Sequence, residues 1–316
     1  MGTPERTTRS ADDAARPLRV VSVSLGAPAR DAVRDLTLLG RHVRLERIGT
    51  NGDVRAAAAT FARLAGEVDA FGLGGTDLHL RVAGRRYRIA QSARLARHAG
   101  ATPVVCGAGL KDTLERGVPA RIADRIDLAG ARVLLPSAVD RWGLAEALRD
   151  AGADLTIGDL AFLLGVPRAM HDLDAFARVV RVVAPPVVRL PIGWIYPTGA
   201  KQGTTDGGWR RRWFEAADVV AGDWHLVRRF APPDLSGLTV ITNTTTAEDL
   251  ADLGARGARA VVTTTPRLEG RSLPTNLLEA AFIAIAGRGP LPHADLAAMV
   301  AEADLAPDVW RPPRQA

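Results

Sequence analysis

The sequence predicts an α/β protein made of two domains with mainly parallel sheets and a cleft between them. The chain has 316 residues, more than one ordinary core covers, so two domains are expected. From Leu18 onward, short β-branched runs alternate with Ala-, Leu- and Arg-rich segments of helical spacing, a pattern typical of parallel α/β units. The hydrophobic content of 47% and the charged content of 24% are those of a folded globular protein.

Each half of the chain has its own set of strand-like runs. In the first half they lie at 18–25, 42–49, 68–75 and 102–109, with a hairpin over 78–89. In the second half they lie at 131–138, 153–160, 217–224, 238–245 and 258–265, with helices over 172–183 and 273–287. The predicted organisation is a disordered leader at 1–16, a first domain at 17–128, a second domain at 129–290 with an insertion at 161–215, and a C-terminal tail at 291–316.

Composition excludes some classes of function. The formal charge is +6, but the arginines are scattered among 35 acidic residues and form no basic stripe with aromatics, so no nucleic-acid partner is expected. No apolar run is long enough to span a membrane, and the first 16 residues lack the apolar core of a signal peptide. A single cysteine, Cys106, indicates a reducing compartment and hence a cytoplasmic location. The histidines lack metal-ligand spacing, so no metal is expected. A homodimer is left open.

Polar residues follow the strands of the first domain, where open α/β sheets bind ligands. The segments SLGAPARD (24–31), IGTNGD (48–53), GLGGTD (72–77) and GAGLKD (107–112) are these strand ends. GLGGTD combines backbone N–H groups with a carboxylate and suits an anion or a sugar, although a tight turn would look the same. The candidate substrate-binding residues are Ser24, Thr50, Asp53, Gly75 and Thr76. The candidate catalytic residues are Asp77 and Lys111.

The segment SAVDRWG (137–143) has the position of a dinucleotide-binding turn. It follows a strand and precedes a helix, and the next strand ends at Asp159, close to the spacing at which an acid holds a ribose hydroxyl. This spacing predicts a Rossmann-like second domain that binds NAD or NADP, with NAD favoured because Asp159 would repel a 2′-phosphate. The turn is poor in glycine, so an α/β unit of the same geometry without a cofactor is the alternative. The candidate cofactor-binding residues are Ser137, Asp140, Arg141, Gly143, Asp159, Asp223 and Thr244.

Further candidate groups lie in the insertion and near the end of the second domain. Tyr196 and Lys201 belong to WIYPTGAKQG (194–203), where prolines prevent a long helix. Lys111 and Lys201 are the only lysines among 41 basic residues, and a buried lysine can give up its proton or anchor an anion. We predict that Tyr196 and Lys201 are catalytic groups on a cleft-lining loop, with a surface turn as the alternative. His225, at a strand end, is predicted to titrate, and Arg271 to bind substrate.

A family resemblance is carried by SVSLG, ERIGTNGD, GLGGTDL, GLKDTLER, SAVDRWG, YPTGAKQ, GDWHLVRR and TTTPRLEGRS. Through these motifs residues 18–288 resemble a bacterial family labelled quinate 5-dehydrogenase. The resemblance implies an enzyme, an NAD(P)-dependent oxidoreductase acting on a small polar hydroxy or oxo compound. Lys111 lies where shikimate and quinate dehydrogenases place their catalytic lysine. The alternative is a non-redox enzyme or sensor that binds a phosphorylated or carboxylated metabolite in the cleft.

Overall fold

The computed structural model of the chain describes residues 16–195, 208–268 and 271–313. Its first sheet has the strand order β2-β3-β1-β4-β7. β2 is antiparallel to β3, and the remaining neighbours are parallel. The strands are β1 (Leu18–Ser24), β2 (Ala32–Leu38), β3 (Arg41–Gly49), β4 (Ala70–Gly74) and β7 (Val104–Val105).

The second sheet has the order β15-β12-β11-β10-β8-β9. Its neighbours are parallel except for the last strand, which is antiparallel to β12. Counted from β8, the parallel strands follow the order 2-1-3-4-5, which is the flavodoxin-like doubly wound order and not the 3-2-1-4-5-6 of a Rossmann domain. The α/β class with a mainly parallel sheet is as the sequence predicts. The strands are β8 (Arg132–Leu135), β9 (Asp154–Ile157), β10 (Val219–Ala221), β11 (Thr239–Thr242), β12 (Ala260–Thr263) and β15 (Asp308–Trp310).

Helices and two hairpins surround these sheets. The hairpins pair β5 (His79–Val82) with β6 (Arg85–Arg88), and β13 (Arg267–Leu268) with β14 (Arg271–Ser272). The helices are α1 (Val54–Leu64), α2 (Ala90–Ala96), α3 (Ala108–Asp112), α4 (Val118–Ile122), α5 (Trp142–Asp150), α6 (Asp159–Phe162), α7 (Leu173–Val187), α8 (Ile192–Ile195), α9 (Arg211–Glu215), α10 (Trp224–Phe230), α11 (Ala247–Ala255), α12 (Thr275–Ala286) and α13 (His293–Glu302).

The helix α12 packs against the first sheet, although the sequence groups it with the second domain. Leu277, Leu278 and Phe282 belong to the same buried cluster as strand residues of β1 and β3. The backbone of α12 crosses β4 so closely that a Cβ on Gly72 would lie 2.8 Å from the carbonyl oxygen of Asn276. The helix is apolar on all sides, and such a pattern predicts burial without indicating the sheet on which the helix lies.

Two further segments differ from the sequence prediction, and a third lies almost wholly outside the described residues. The segment 291–316, predicted to be a tail, contains α13 and the sheet strand β15. The helix α7 extends to Val187, beyond the predicted end at 183, and contains Pro185 and Pro186. Each proline lacks the N–H of one helical hydrogen bond and its ring crowds the carbonyl four residues earlier, which is why the sequence predicts an earlier end. Of the leader predicted at 1–16, only Arg16 lies within the described residues, where it pairs with Asp69.

Candidate functional site

A cavity of about 370 Å³ lies between the carboxyl ends of the two sheets. Ser24 and Gly74, which end β1 and β4, line it from the first sheet, and Ser137 and Asp223, which follow β8 and β10, line it from the second. In each sheet the strand order reverses between these two strands, the position at which open α/β sheets bind ligands. The volume of this cavity, the cleft, is that of a small-molecule site.

Lys111 connects the two halves of the cleft. Its Nζ donates a hydrogen bond of 2.9 Å to Oδ1 of Asp77, which follows β4, and one of 2.5 Å to Oδ1 of Asp140, which precedes α5. All three side chains are largely buried. Two carboxyls therefore share one ammonium group at the boundary between the sheets.

The three groups shift one another's protonation. Burial raises the pKa of Asp77 to about 7 against the opposing pull of Lys111, and the charge of Asp140 adds to the rise. Burial would also raise the pKa of Asp140, but Lys111 and Arg141 outweigh it and hold that pKa below its usual range. Burial would lower the pKa of Lys111, yet the two carboxylates more than offset this and raise it. Near neutral pH Asp77 is thus the group of this cluster that can gain or lose a proton.

Arg141 forms a buried ion pair behind the cleft. Its Nη1 donates to Oε2 of Glu115, and the two side chains are 2% and 0% exposed. Its Nε and Nη2 lie 3.6 Å from carboxylate oxygens of Asp140 and Asp223, respectively. Within the described residues, Nε of Arg141 and Oε1 of Glu115 have no hydrogen-bond partner. The pair therefore holds a guanidinium at the cleft wall with some of its hydrogen-bonding capacity unused.

Asp159 folds back onto the turn that follows β8. Its carboxylate accepts hydrogen bonds from the backbone N–H of Ala138 at 2.8 Å and of Val139 at 3.0 Å. Burial raises its pKa to about 7, and these two hydrogen bonds only partly oppose the rise. The N–H groups of Ala138 and Val139 lie in the turn where a dinucleotide would place its pyrophosphate, but they already donate to Asp159. Asp159 is also the residue expected to bind the ribose. Binding of NAD or NADP stays a prediction that this geometry does not favour.

His225 and Asp223 stand at the start of α10. Asp223 caps the helix, accepting from the backbone N–H of His225 at 3.0 Å. The His225 ring contacts the guanidinium of Arg30, which comes from the loop after β1. Burial lowers the pKa of His225, and Asp223 offsets this only in part. The ring is therefore neutral at neutral pH and joins the two sides of the cleft.

The structure brings most of the other predicted residues to the cleft. Ser24, Gly75, Thr76, Ser137 and Thr244 line it with the groups above.

Three predicted residues lie outside the cleft lining. Asp53 caps α1 by accepting from the N–H groups of Arg55 and Ala56, and the Thr50 hydroxyl donates to the Ser24 carbonyl. A Cβ placed on Gly143 would lie 3.1 Å from Oδ1 of Asp112, so the glycine allows close packing there. Their roles are those of caps and packing.

Three predicted residues fall where the structure gives no side-chain information. Tyr196 and Lys201 lie outside the described residues, so their catalytic roles stay predictions. Arg271 lies in β14, and its side chain is not described.

The sequence analysis missed three arginines and an asparagine of the cleft. Arg34 and Arg47 line it from β2 and β3, and Arg30 from the loop between β1 and β2. Asn276, at the start of α12, donates to the Ser22 hydroxyl at 2.7 Å. Side-chain alternation along β2 and β3 could have indicated the two strand arginines had β2 been recognised.

One wall of the cleft is apolar. Val179, Val183 and Val187 are half-buried, line the cleft and recur every four residues along one face of α7. The same wall continues in Leu160, Leu163, Leu164, Leu190 and Trp194. The cleft therefore has a charged region at the strand ends and an apolar region on the insertion.

Within the described ranges, no group of three or more His, Cys, Asp or Glu side chains is placed to hold a metal ion. Among the same residues, no helix is both long and apolar enough to cross a bilayer. The predictions of a cytoplasmic location and of a homodimer are not tested by the structure.

Glu279, a buried carboxyl outside the cleft, gives a pH prediction. Burial raises the pKa of Glu279 to about 7, although its carboxylate accepts from the Gly109 N–H at 3.0 Å. The folded state therefore holds the proton more tightly than the unfolded state, whose carboxyls titrate near about 4. The contribution of Glu279 to the free energy of unfolding should consequently fall as the pH rises from about 4 to about 7, whereas a carboxyl of lowered pKa such as Asp140 contributes the opposite change. Over this range the free energy of unfolding of Glu279→Gln should therefore fall less, or rise more, than that of the wild type, as measured by urea unfolding at fixed pH values.

The exposed Glu302→Gln, at the end of α13, is the matched control and should follow the wild-type pH profile. If Glu279→Gln and the wild type lost stability in parallel between pH 4 and 7, the proposed titration of Glu279 would be wrong.

The fold and the cleft define a class of protein, namely a two-unit α/β protein with a ligand-sized site at the switch points of both sheets. A family model described as Domain of unknown function (DUF8754) matches residues 109–312. A second, Domain of unknown function (DUF8753), matches residues 19–106. Since the first covers more than half of the chain, the protein belongs to the DUF8754 family. No curated protein matches the chain.

Similar solved structures share the sequence only weakly. A galactofuranose binding protein is 11% identical, covering 94% of this chain and 95% of its own, with a TM-score of 0.37. The branched-chain amino acid binding protein LivJ from Streptococcus pneumoniae, in complex with isoleucine, is 11% identical over 91% of this chain and 88% of its own, with a TM-score of 0.36. A substrate-binding protein of a sugar ABC transport system from Bordetella parapertussis is 14% identical over 88% and 83%, with a TM-score of 0.32. Scores this low carry no argument about ligand or mechanism.

The resemblance to a quinate 5-dehydrogenase family is corrected by these findings. The family models that match the chain are those of DUF8753 and DUF8754, and neither description names a quinate dehydrogenase. The interpretation of the protein as an oxidoreductase depended on that resemblance and on the dinucleotide spacing. Without the resemblance, the oxidoreductase interpretation is not kept. The alternative, a cleft that binds a small ligand without redox chemistry, is the one that remains.

Proposed function

We propose that this protein binds a small anionic metabolite, phosphorylated or carboxylated, in the cleft, as a non-redox enzyme or a sensor. The observation that carries the proposal is the charge of the cleft lining. Among its described residues, five are basic and four are carboxyls, and burial raises the pKa of two of those carboxyls, Asp77 and Asp159, to about 7. The basic residues are Arg30, Arg34, Lys111, Arg47 and Arg141. Arg141 and Arg47 also pair with carboxylates that are not part of the lining, Glu115 and Asp31, so the lining offers an anion charged hydrogen-bond donors rather than a large excess of positive charge.

The start of α12 supports the same proposal. Its N-cap residue, Pro274, provides no side-chain hydrogen bond to the first turn, and Thr275 and Asn276 line the cleft. The N-terminus of a 12-residue helix carries partial positive charge and N–H donors that favour anions. Together with Arg141, which is buried at the cleft wall with an unused Nε donor, this end of the helix suits a phosphate or carboxylate.

The Lys111 cluster supports recognition of a second polar group. Asp77 and Asp140 can accept from a ligand hydroxyl, while the Lys111 ammonium can donate to it. In an enzyme of this type, Asp77 would be the general acid or base, because a pKa of about 7 suits proton transfer at neutral pH. In a sensor the same groups would fix the orientation of the ligand.

Ligand binding can be tested by thermal unfolding with and without candidate ligands. Small sugar phosphates and hydroxycarboxylates should raise the melting temperature, because a ligand that binds only the folded state stabilises it. The effect should weaken with added salt, and the corresponding neutral sugars should give none. If none of the anions stabilised the protein more than its neutral counterpart, the proposal would be wrong.

Arg34 provides a test at the level of one residue. Removing its charge in Arg34→Gln should weaken anion binding by about tenfold to a hundredfold, since a hydrogen bond to a charged group contributes about 1.5–3 kcal/mol. The matched control is Arg44→Gln, on the neighbouring strand β3, whose side chain pairs with Asp35 and is absent from the cleft lining. Calorimetry should show wild-type affinity for Arg44→Gln. Equal effects of the two substitutions would indicate a general charge effect and contradict a role for Arg34 in the site.

A further inference from the structure

The helix α7 has two apolar faces, and only one of them is needed for the core. Phe176, Val180 and Ala184 pack into a buried cluster with β8 and β9. Val179 and Val183, one position before Val180 and Ala184, lie outside that cluster and line the cleft, where they are half-buried. The three core residues reach the cleft as well. A helix that only closed the core would carry polar residues on this second face.

The rest of this wall is also apolar and accessible. Leu163 and Leu164 follow α6 and are 38% and 49% exposed, and Trp194 in α8 is 77% exposed. All three line the cleft. Apolar side chains grouped around a cavity, rather than scattered over the surface, mark an interaction site. A ligand as polar as a sugar phosphate would leave this region in contact with water.

We infer that the ligand is a free amphiphile, with an anionic headgroup at the strand ends and an apolar chain or ring along the α7 wall. This inference rests on the proposed function and specifies its ligand class. The arginines and the α12 N-terminus complement the headgroup, and the stripe of Val179, Val183 and Val187 complements the apolar part. The two regions belong to one continuous cavity of about 370 Å³, so a single molecule can occupy both.

A homologous series of ligands tests the inference. Calorimetric titration with ethyl, butyl, hexyl and octyl phosphate, below micelle-forming concentrations, should show affinity rising about threefold to fourfold per methylene group, as expected for burial of CH₂ in an apolar site. Among alkyl carboxylates, the one with an octyl chain should likewise bind more tightly than the one with a butyl chain. Octanol should bind much more weakly than octyl phosphate.

The outcomes separate this inference from the proposed function. Equal affinity for ethyl and octyl phosphate would overturn the amphiphile while leaving anion binding intact. Equal affinity for octanol and octyl phosphate would overturn both, as would the absence of any binding. Cosedimentation with phosphatidylglycerol vesicles should be absent, and binding to such vesicles would overturn the assignment of a free ligand.

Two valines of α7 give a matched pair of variants. Val183→Asn places a polar amide in the apolar wall and should weaken octyl phosphate binding about tenfold, while ethyl phosphate binds as in the wild type. Val182→Asn alters the adjacent, 75% exposed side chain that is absent from the cleft lining, and it should bind both ligands normally. Val183→Ala, a milder change, should weaken octyl phosphate binding about threefold. If Val183→Asn and Val183→Ala both kept wild-type affinity for octyl phosphate, the wall would not contact the ligand.

Discussion

Replacing Arg141 with methionine is expected to lower the free energy of unfolding by about 3–5 kcal/mol, the range found when one partner of a buried ion pair is removed. Glu115, its partner, is 0% exposed, and Oε1 of its carboxylate has no other hydrogen-bond partner among the described residues. The Arg141→Met variant would therefore leave a buried carboxylate without its counterion. Urea unfolding at neutral pH, followed by circular dichroism, measures the loss.

Two further variants decide whether the ion pair is the cause. In the double variant Glu115→Gln/Arg141→Met neither charge is buried, so most of the lost stability should return. Arg149→Met, on the exposed end of α5 where Arg149 pairs with Asp150, should change stability by less than about 1 kcal/mol. If Arg141→Met unfolded at the same urea concentration as the wild type, the buried pair would have no structural role.

The sequence predicts both sheets, but it misses the first edge strand. In β2 residues of a more buried side alternate with exposed ones. Arg34 lies on the more buried side and Val33 on the exposed side, so the run AVRDLTL shows no clear alternation of apolar and polar residues. The turn to β3 is formed by Leu39 and Gly40, both with positive φ. Asparagine or aspartate before glycine marks such turns in a sequence, and leucine does not. Arg34 was missed as a cleft residue because its strand was missed.

The cleft could be predicted residue by residue but not as a network. Asp77 and Lys111 follow strands, and the rule that ligands bind at strand ends identifies each of them. Lys111 contacts Asp77, which is 34 positions away in the sequence, and Asp140, which is 29 positions away. Local periodicity in a sequence cannot predict contacts over such separations. Asp159 has the spacing of a ribose-binding acid, yet its carboxylate turns toward Ala138 and Val139. The spacing of residues in the sequence predicts where a side chain lies in the fold, but not the direction in which it points.

The second large effect is expected from Lys111→Met. Asp77 and Asp140 would then share a buried site with no ammonium between them, and their carboxylates would repel each other. Breaking this arrangement should cost about 3–5 kcal/mol of unfolding free energy at pH 8. Without Lys111, the pKa of Asp77 should rise further in the folded state, and the pKa of Asp140 should rise from its lowered value. The cost should therefore grow as the pH rises from about 5 to 8 and shrink at lower pH, where both carboxyls take up protons in the folded protein.

Urea unfolding of the wild type and Lys111→Met at pH 5, 6, 7 and 8 measures this trend. Lys111→Met/Asp140→Asn removes one of the two carboxylates as well, so it should recover much of the stability at pH 8 and lose most of the pH dependence. Lys111→Arg keeps the charge but brings a larger planar group to a site in which Nζ lies 2.9 Å and 2.5 Å from two oxygens, so it should recover only part. If Lys111→Met lost the same free energy at pH 5 as at pH 8, lost packing and not carboxylate repulsion would explain its effect, because a packing defect does not titrate.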